Sequence, residues 1–429
     1  MFTSLFPLFS KSRAFLVCAL VILLGAPFSW GQELPTARPE EVGMSSEKLA
    51  RIGPAVQALV TNNLVAGAIT MVARHGKVVY FETFGRSDIA SGQPMARDEI
   101  MRFYSMTKPI TSVAVMMLVE QGKIRLDDPV AKRLPEFNNV RVFLSTTNHG
   151  FITEPVLRVP TVRDLLRHTA GLTYGFLGHT PVDAAYGQAG VLDPNSTLTE
   201  LTRKVARLPL LYQPGSKWNY SIGADVLARL VEVTSGESFD EFLDERIFRP
   251  LDMRDTGFYV PADKLARFAA LYGSADGRLK VIEAPATSPF LKRPKLFSGG
   301  GGLVSTARDY MRFCQMLAAG GELNGRRLLR PETLQAMTTN QLPPEAFPIS
   351  LAGFPIPGLG FGLGFSVHVE PAPFSAARVG EYGWSGLAST SFWISPKDDL
   401  VVIVLQQFMP FSMLLDQTVK PLVYNAITN

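Results

Sequence analysis

Ser105 and Lys108 stand three residues apart in Ser105-Met106-Thr107-Lys108, just ahead of the apolar run from Ile110 to Val119. On a helix that spacing puts both side chains on one face, a turn apart. A serine hydroxyl is a poor nucleophile until a neighbouring base takes its proton. A lysine amine one turn away can do so as the oxygen attacks a carbonyl. The tetrapeptide alone is weak evidence, because the same residues also suit a helix start at which Ser105 or Thr107 caps free N–H groups.

The elements that would have to position this pair are legible in outline. Ser45 to Leu59 has Leu49, Ile52, Val56 and Leu59 at helical spacing behind a capping serine. Ala66 to Phe84 reads as a hairpin turning at His75-Gly76. The helix behind Ser105 should stop near Gln121-Gly122, and Asp127-Asp128-Pro129 marks a turn into a short helix. Further helices are expected over Val162 to Arg167, Ser221 to Val233, Thr306 to Leu317 and Met413 to Ile427. Gly364 to Glu370, Ala388 to Ile394 and Leu400 to Gln406 are strand-like, the last two joined by a turn at Pro396 to Asp399. Pro343 to Gly364 reads as a long surface loop near the site. With strands at both ends and helices between, the expected fold is of the α+β type. One antiparallel sheet is built from 32–125 and 300–429, and 126–299 forms a mainly helical insertion.

Two more segments give the serine–lysine pair a context. One is Tyr220-Ser221-Ile222, preceded by Pro214-Gly215-Ser216-Lys217-Trp218-Asn219. The other is Tyr382-Gly383-Trp384-Ser385-Gly386. With His168-Thr169-Ala170-Gly171-Leu172 and Gly300 to Thr306, and in this order and spacing, they resemble the penicillin-recognising serine hydrolases. That superfamily includes class C β-lactamases, DD-peptidases and family VIII carboxylesterases, and the likeness runs from about Glu40 to the C-terminus. The resemblance implies the β-lactamase/DD-peptidase-like fold, with Ser105, Lys108 and Tyr220 catalytic. Ser105 would be the nucleophile, Lys108 a lysine driven neutral by burial, and Tyr220 the proton donor to the leaving oxygen. The N–H groups of Ser105 and, by resemblance, Leu387 would form the oxyanion hole.

The departures from the family pattern bear on the substrate. Trp384 stands where β-lactamases and DD-peptidases carry a lysine that attracts the substrate carboxylate. Ile222 stands where an asparagine usually binds a substrate amide. Both changes remove polar recognition, and a tryptophan in the third segment resembles family VIII esterases. The expected activity is hydrolysis of short-chain acyl esters through an acyl-serine. Trp384, Ser385, Gly386, Ile222, Tyr174, Phe176 and Phe361 are the expected substrate-binding residues. A β-lactamase or promiscuous cephalosporinase on the same machinery is the alternative, with β-lactams as its substrates. A silent relative that binds peptidoglycan fragments or a protein partner is the second.

Composition excludes other classes. The 429 residues are 46% hydrophobic and 19% charged, ample for a large core. The formal charge of +4 comes with no basic stripe interleaved with aromatics, so nucleic acid is not an expected partner. There is no Gly-x-Ser-x-Gly elbow and no His-Glu-x-x-His. The glycines at 299–302 and 358–364 lack the residues of a phosphate or dinucleotide cradle. No metal and no cofactor are expected, and His168 is expected to orient a loop. Lys11 and Arg13 precede an apolar run from Ala14 to Leu24 and small residues ending at Gly31, the pattern of an export signal over 1–31. Its removal would leave Cys314 as the one cysteine and no membrane insertion. Export without disulfides points to a bacterial periplasm or secretion.

Overall fold

A computed structural model describes residues 33–351, 353–372 and 375–428. The segment expected to be an export signal, and Cys18 within it, lie outside the described residues. Strands from the two ends of the chain pair into one sheet. The early strands are β1 (Gly67–Arg74), β2 (Lys77–Asp88) and β3 (Gln93–Pro94). The late ones are β4 (Leu359–Phe361), β5 (Ser366–His368), β6 (Tyr382–Gly386), β7 (Thr390–Ser395) and β8 (Leu400–Leu405). Their order is β4-β5-β6-β7-β8-β1-β2-β3, antiparallel throughout. β1 and β8 meet at the centre, with Ile69 opposite Leu405 and Arg74 opposite Leu400.

The period of two along a strand sends alternate residues to opposite faces, and both faces here are buried. Ala68 and Val72 of β1, with Leu400, Val402 and Val404 of β8, face a layer formed by two helices, Ser46–Leu49 and Ile52–Thr61, and by α4 (Leu414–Asn425). Ile69, Met71, Ile403 and Leu405 face the larger core, with α1 (Thr107–Glu120) and α3 (Ala307–Ala318). α1 is buried at nearly every position, as suits a helix apolar all round. Cys314 of α3 is free and buried. α2 (Gly223–Ser235) packs beside α1. Leu34–Asn429 forms one compact unit. Among the described residues no helix is long and apolar enough to cross a membrane.

The 126–299 stretch, expected to be a mainly helical insertion, also carries hairpins at Arg141–Thr147 with Gly150–Pro155 and at Leu271–Ala275 with Arg278–Glu283. The first is rich in β-branched residues, and the two turn on Gly150 and on Asp276-Gly277, which have positive φ. The Pro343–Gly364 stretch is not simply a surface loop. Ile349, Leu359 and Phe361 are buried against Trp218, and Leu359–Phe361 is the edge strand of the sheet. The apolar residues among its prolines and glycines are what fasten it down.

Candidate active site

The backbone reverses just before Ser105. Met101–Arg102 pairs with Val304–Ser305, and Tyr104 then takes a left-handed conformation (φ 42°). A 3₁₀ turn, Tyr104–Met106, carries Ser105 onto the head of α1. A left-handed non-glycine residue costs of order 1–3 kcal/mol and persists only where its surroundings hold it. Here the residue two positions before it is clamped: the Gln407 side chain accepts from the Arg102 N–H (2.9 Å) and donates to its carbonyl (3.1 Å), while Arg102 Nη1 donates to Ala269 O (2.7 Å).

Lys108 lies in the first turn of α1, 2% exposed. Its Nζ donates to the Gly300 carbonyl (2.7 Å) and to Ser105 Oγ (3.2 Å). The same nitrogen stands 4.6 Å from the ring centre of Tyr220 and 5.0 Å from that of Tyr174. Burial pushes the amine down to about 7, against the opposing pull of the Asp225 carboxylate. Desolvation disfavours the ammonium, so above neutral pH Lys108 is a free amine within hydrogen-bond reach of Ser105 Oγ.

Tyr220 is the opposite case. Burial pushes its phenol well above the ordinary tyrosine value, only partly offset by hydrogen bonds to Ser105 and Trp384. Its hydroxyl therefore keeps its proton. It also accepts from the indole Nε1–H of Trp384 at 3.3 Å, so the tryptophan is more than an apolar wall. The segment bearing Tyr220 is laced to 168–173: Gly215 N donates to Thr169 O (2.7 Å), Asn219 N to His168 O (2.8 Å) and Ile222 N to Thr173 O (3.3 Å). His168 is buried, with Nδ1 3.3 Å from Ser221 Oγ and its ring 4.9 Å from that of Tyr220. Burial and the nearby Lys108 hold its imidazole well below the ordinary histidine value. It is a neutral prop in this loop.

The glycine-rich segment wraps the head of α1. Thr111 Oγ1 donates to Gly299 O (2.7 Å), and Leu303 N donates to Thr107 Oγ1 (3.1 Å). A Cβ on Gly300 would run into the Asp225 carboxylate and stand 2.5 Å from the Tyr174 hydroxyl. No larger residue fits there, and the Gly300 carbonyl is what anchors Lys108. Asp225 sits in the first turn of α2, fully buried. Its Oδ1 accepts from Ser298 Oγ (2.5 Å) and Gly300 N (3.1 Å), while Oδ2 has no hydrogen-bond partner among the described residues.

The third segment is β6. Its last residue, Gly386, lies so close to Phe103 that a Cβ would collide with that carbonyl and with Thr390 Oγ1. The peptide of Leu387 follows directly, in a turn pinned by Ser389, whose φ is 62° and whose Oγ donates to Phe408 O (2.8 Å) and accepts from Ser412 N (2.9 Å). Among the described residues nothing accepts the N–H of Ser105 or of Leu387. Two unengaged donors on adjoining turns can serve an oxyanion.

The expected pocket residues divide. Tyr174, Tyr220, Trp384 and Phe361 form a contiguous aromatic cluster, with ring centres 5.3–5.4 Å apart for Trp384–Phe361, Tyr220–Trp384 and Tyr174–Tyr220. Phe176 extends it outward, 5.0 Å from Tyr174 and more than half exposed. Ser385 is half-buried beside Trp384. Ile222 and Phe361 have almost no exposed surface. Phe361 backs the wall, and Ile222 packs in the larger core at the head of α2. Sequence reasoning missed Asp225 and the indole donor. An acid in the first turn of a helix reads as an ordinary exposed N-terminal charge, and nothing in the sequence marks its burial.

Comparisons agree with this geometry. The family model described as Beta-lactamase matches residues 54–419. A protein of Mycobacterium tuberculosis is 38% identical over 357 residues, covering 81% of this chain and 87% of its own. Esterase EstB of Burkholderia gladioli is 34% identical over 373 residues, with 81% and 87% covered. The solved structure of EstCE1, described as a hydrolase with promiscuous acyltransferase activity, superposes with a TM-score of 0.75 at 27% identity, covering 88% of this chain and 99% of its own. With its fold, its serine–lysine–tyrosine cluster and this match in agreement, the chain is an enzyme of the β-lactamase family.

Proposed function

We propose that the protein is a serine carboxylesterase of the family VIII type that hydrolyses neutral, short-chain acyl esters through an acyl-serine. The observation that carries this reading is Trp384: where a carboxylate-binding lysine would serve a peptidase or β-lactamase, an indole packs on Tyr220 and bonds its hydroxyl. The likeness to EstB points the same way. In the reading, Ser105 Oγ attacks the ester carbonyl while its proton passes to the Lys108 amine. The negative charge on the carbonyl oxygen is met by the N–H groups of Ser105 and Leu387. Collapse breaks the bond to the alkoxide, which takes the proton of Tyr220, and Lys108 returns a proton to Tyr220. Water then attacks the acyl-serine by the same steps in reverse. The apolar run behind Lys11 and Arg13 supports export to the periplasm as part of the proposal.

A second reading has an alcohol replace water in that last attack, giving acyl transfer; the likeness to EstCE1 favours it. The test of both is a panel of p-nitrophenyl esters beside nitrocefin and a penicillin, with and without an added alcohol. Butyrate should be turned over far faster than the penicillin. Ser105→Ala should abolish turnover, and a serine-reactive phosphonate should label the Ser105 peptide. A penicillin equalling the butyrate ester, or a label on Ser221 or Ser385, would overturn the esterase reading.

A further inference from the structure

Asp225 lies outside the three segments that carry the resemblance, yet it is fully buried beside the base. A buried carboxylate with an unengaged oxygen costs stability unless something nearby needs its charge. Two donors on Oδ1, Ser298 Oγ and Gly300 N–H, together with the N-terminal turn of α2, favour the ionised form. The other oxygen has no hydrogen-bond partner among the described residues, and it faces the space where a Cβ on Gly300 would fall, shared with the Tyr174 hydroxyl. From the opposite side Lys108 donates to the carbonyl of that same Gly300. One glycine is therefore gripped at its N–H by Asp225 and at its carbonyl by Lys108.

We propose that Asp225 is a positioning residue for the reaction: it fixes the Gly300 carbonyl that aims the Lys108 amine at Ser105, and its charge stabilises the ammonium formed when Lys108 takes the serine proton. The inference rests on Lys108 being the base. The amine starts neutral and ends cationic in a dry site, so a fixed anion beside it helps the transition state more than the ground state. The other titratable groups facing Lys108 are the Tyr174 and Tyr220 phenols and the His168 imidazole, all held neutral by burial. Asp225 is thus the fixed negative charge among the groups that face the amine. The Asp225 carboxyl is itself raised by burial, and its two donors oppose that.

The experiment compares wild type with Asp225→Asn, which keeps the shape and removes the charge. The acid limb of kcat/KM for p-nitrophenyl butyrate should move to lower pH, by about 1–3 units for loss of an adjacent opposite charge. The plateau should fall at least about tenfold, with most of the loss in kcat. A merely structural aspartate would lower thermal stability and leave the limb where it was. That result, in a folded variant, overturns the proposal. If Asp225→Asn does not fold, Ser298→Ala removes one of the two donors to the carboxylate. It should move the limb the same way by less, and an unmoved limb there overturns the proposal too. Lys108 is also titrated directly by NMR of protein carrying [13C]lysine, its resonance assigned by its loss in Lys108→Arg. This keeps the two failures apart. A wild type inactive on every ester sinks the esterase reading. A Lys108 titration identical in wild type and Asp225→Asn sinks the role of Asp225 even if ester turnover is vigorous.

Discussion

In the proposed mechanism Lys108 has to be an amine, not an ammonium, at the moment Ser105 attacks. With its ionisation pushed down to about 7 by burial, the protonated form dominates below that pH and cannot accept the serine proton. kcat/KM for a neutral ester should therefore rise about tenfold per pH unit on the acid side and level off above pH about 7. A profile flat from pH 5 to 9 would show that Lys108 is not the base. Trp384 permits a second test at this scale, because its two contributions separate. Trp384→Phe keeps an aromatic wall and loses the Nε1–H bond to Tyr220, a loss of about 1 kcal/mol or roughly fivefold, mainly in kcat. Trp384→Ala also deletes the wall that touches Phe361, and KM should rise as well. Equal kinetics for the two variants would mean that the indole donor is idle. Ser105, Lys108 and Tyr220 could be singled out because their types and order are rare in combination. Asp225 was not, because burial is a property of the assembled fold, and the full burial of Ile222 was not, because a motif position does not say which way a side chain faces.

At the scale of elements, three non-glycine residues with left-handed backbone surround the site: Tyr104, His168 and Ser389. Each sits at the bend of a different segment, just before or beside a functional group. Such bends leave no periodicity, so the sequence could reveal the helices and strands on either side but not the turns that aim them. The hairpins at 141–155 and 271–283 escaped for a related reason: their strands are short, pair only with each other and sit between helical stretches. Gly386 gives the prediction here. Gly386→Ala places a methyl against the Phe103 carbonyl, so β6 must back away from the turn carrying Ser105 and the Leu387 N–H must go with it. Loss of one oxyanion donor costs about 10²–10³ in kcat. Far-UV dichroism should stay native. A Gly386→Ala enzyme with wild-type kcat would show that the Leu387 N–H does not serve the oxyanion.

At the scale of the whole molecule, the sheet is held on its outer face by α4 through a buried polar cluster. Lys420 Nζ donates to Glu381 Oε1 (2.6 Å), the Tyr424 hydroxyl donates to Glu381 Oε2, and the ammonium lies 4.4 Å from a ring centre of Trp393. Glu381 adjoins β6, so this lock seats the strand that bears Trp384. Removing one partner of a buried pair strands the other, at a cost of about 3–5 kcal/mol. Lys420→Met should lower stability to urea by roughly that amount while the folded fraction keeps its kcat, and a loss below about 1 kcal/mol would make the pair ornamental. The central strand pair has a consequence of a different kind. β1 lies near the start of the described chain and β8 near its end, and they are neighbours; beside them Ser45 N donates to Ala426 O and Thr428 N to Gly43 O. Synthesis runs from one end, so β1 waits for its central partner until almost everything else has been made. Until then a largely apolar strand has an open edge, and the nascent chain must be shielded or kept extended. The order in which a ribosome delivers the strands, rather than the stability of the finished sheet, then governs how this protein is best produced. A rearranged gene that joins residue 428 to residue 43 through a short linker and opens the chain at the Asn148-His149 turn would deliver β8 and β1 consecutively.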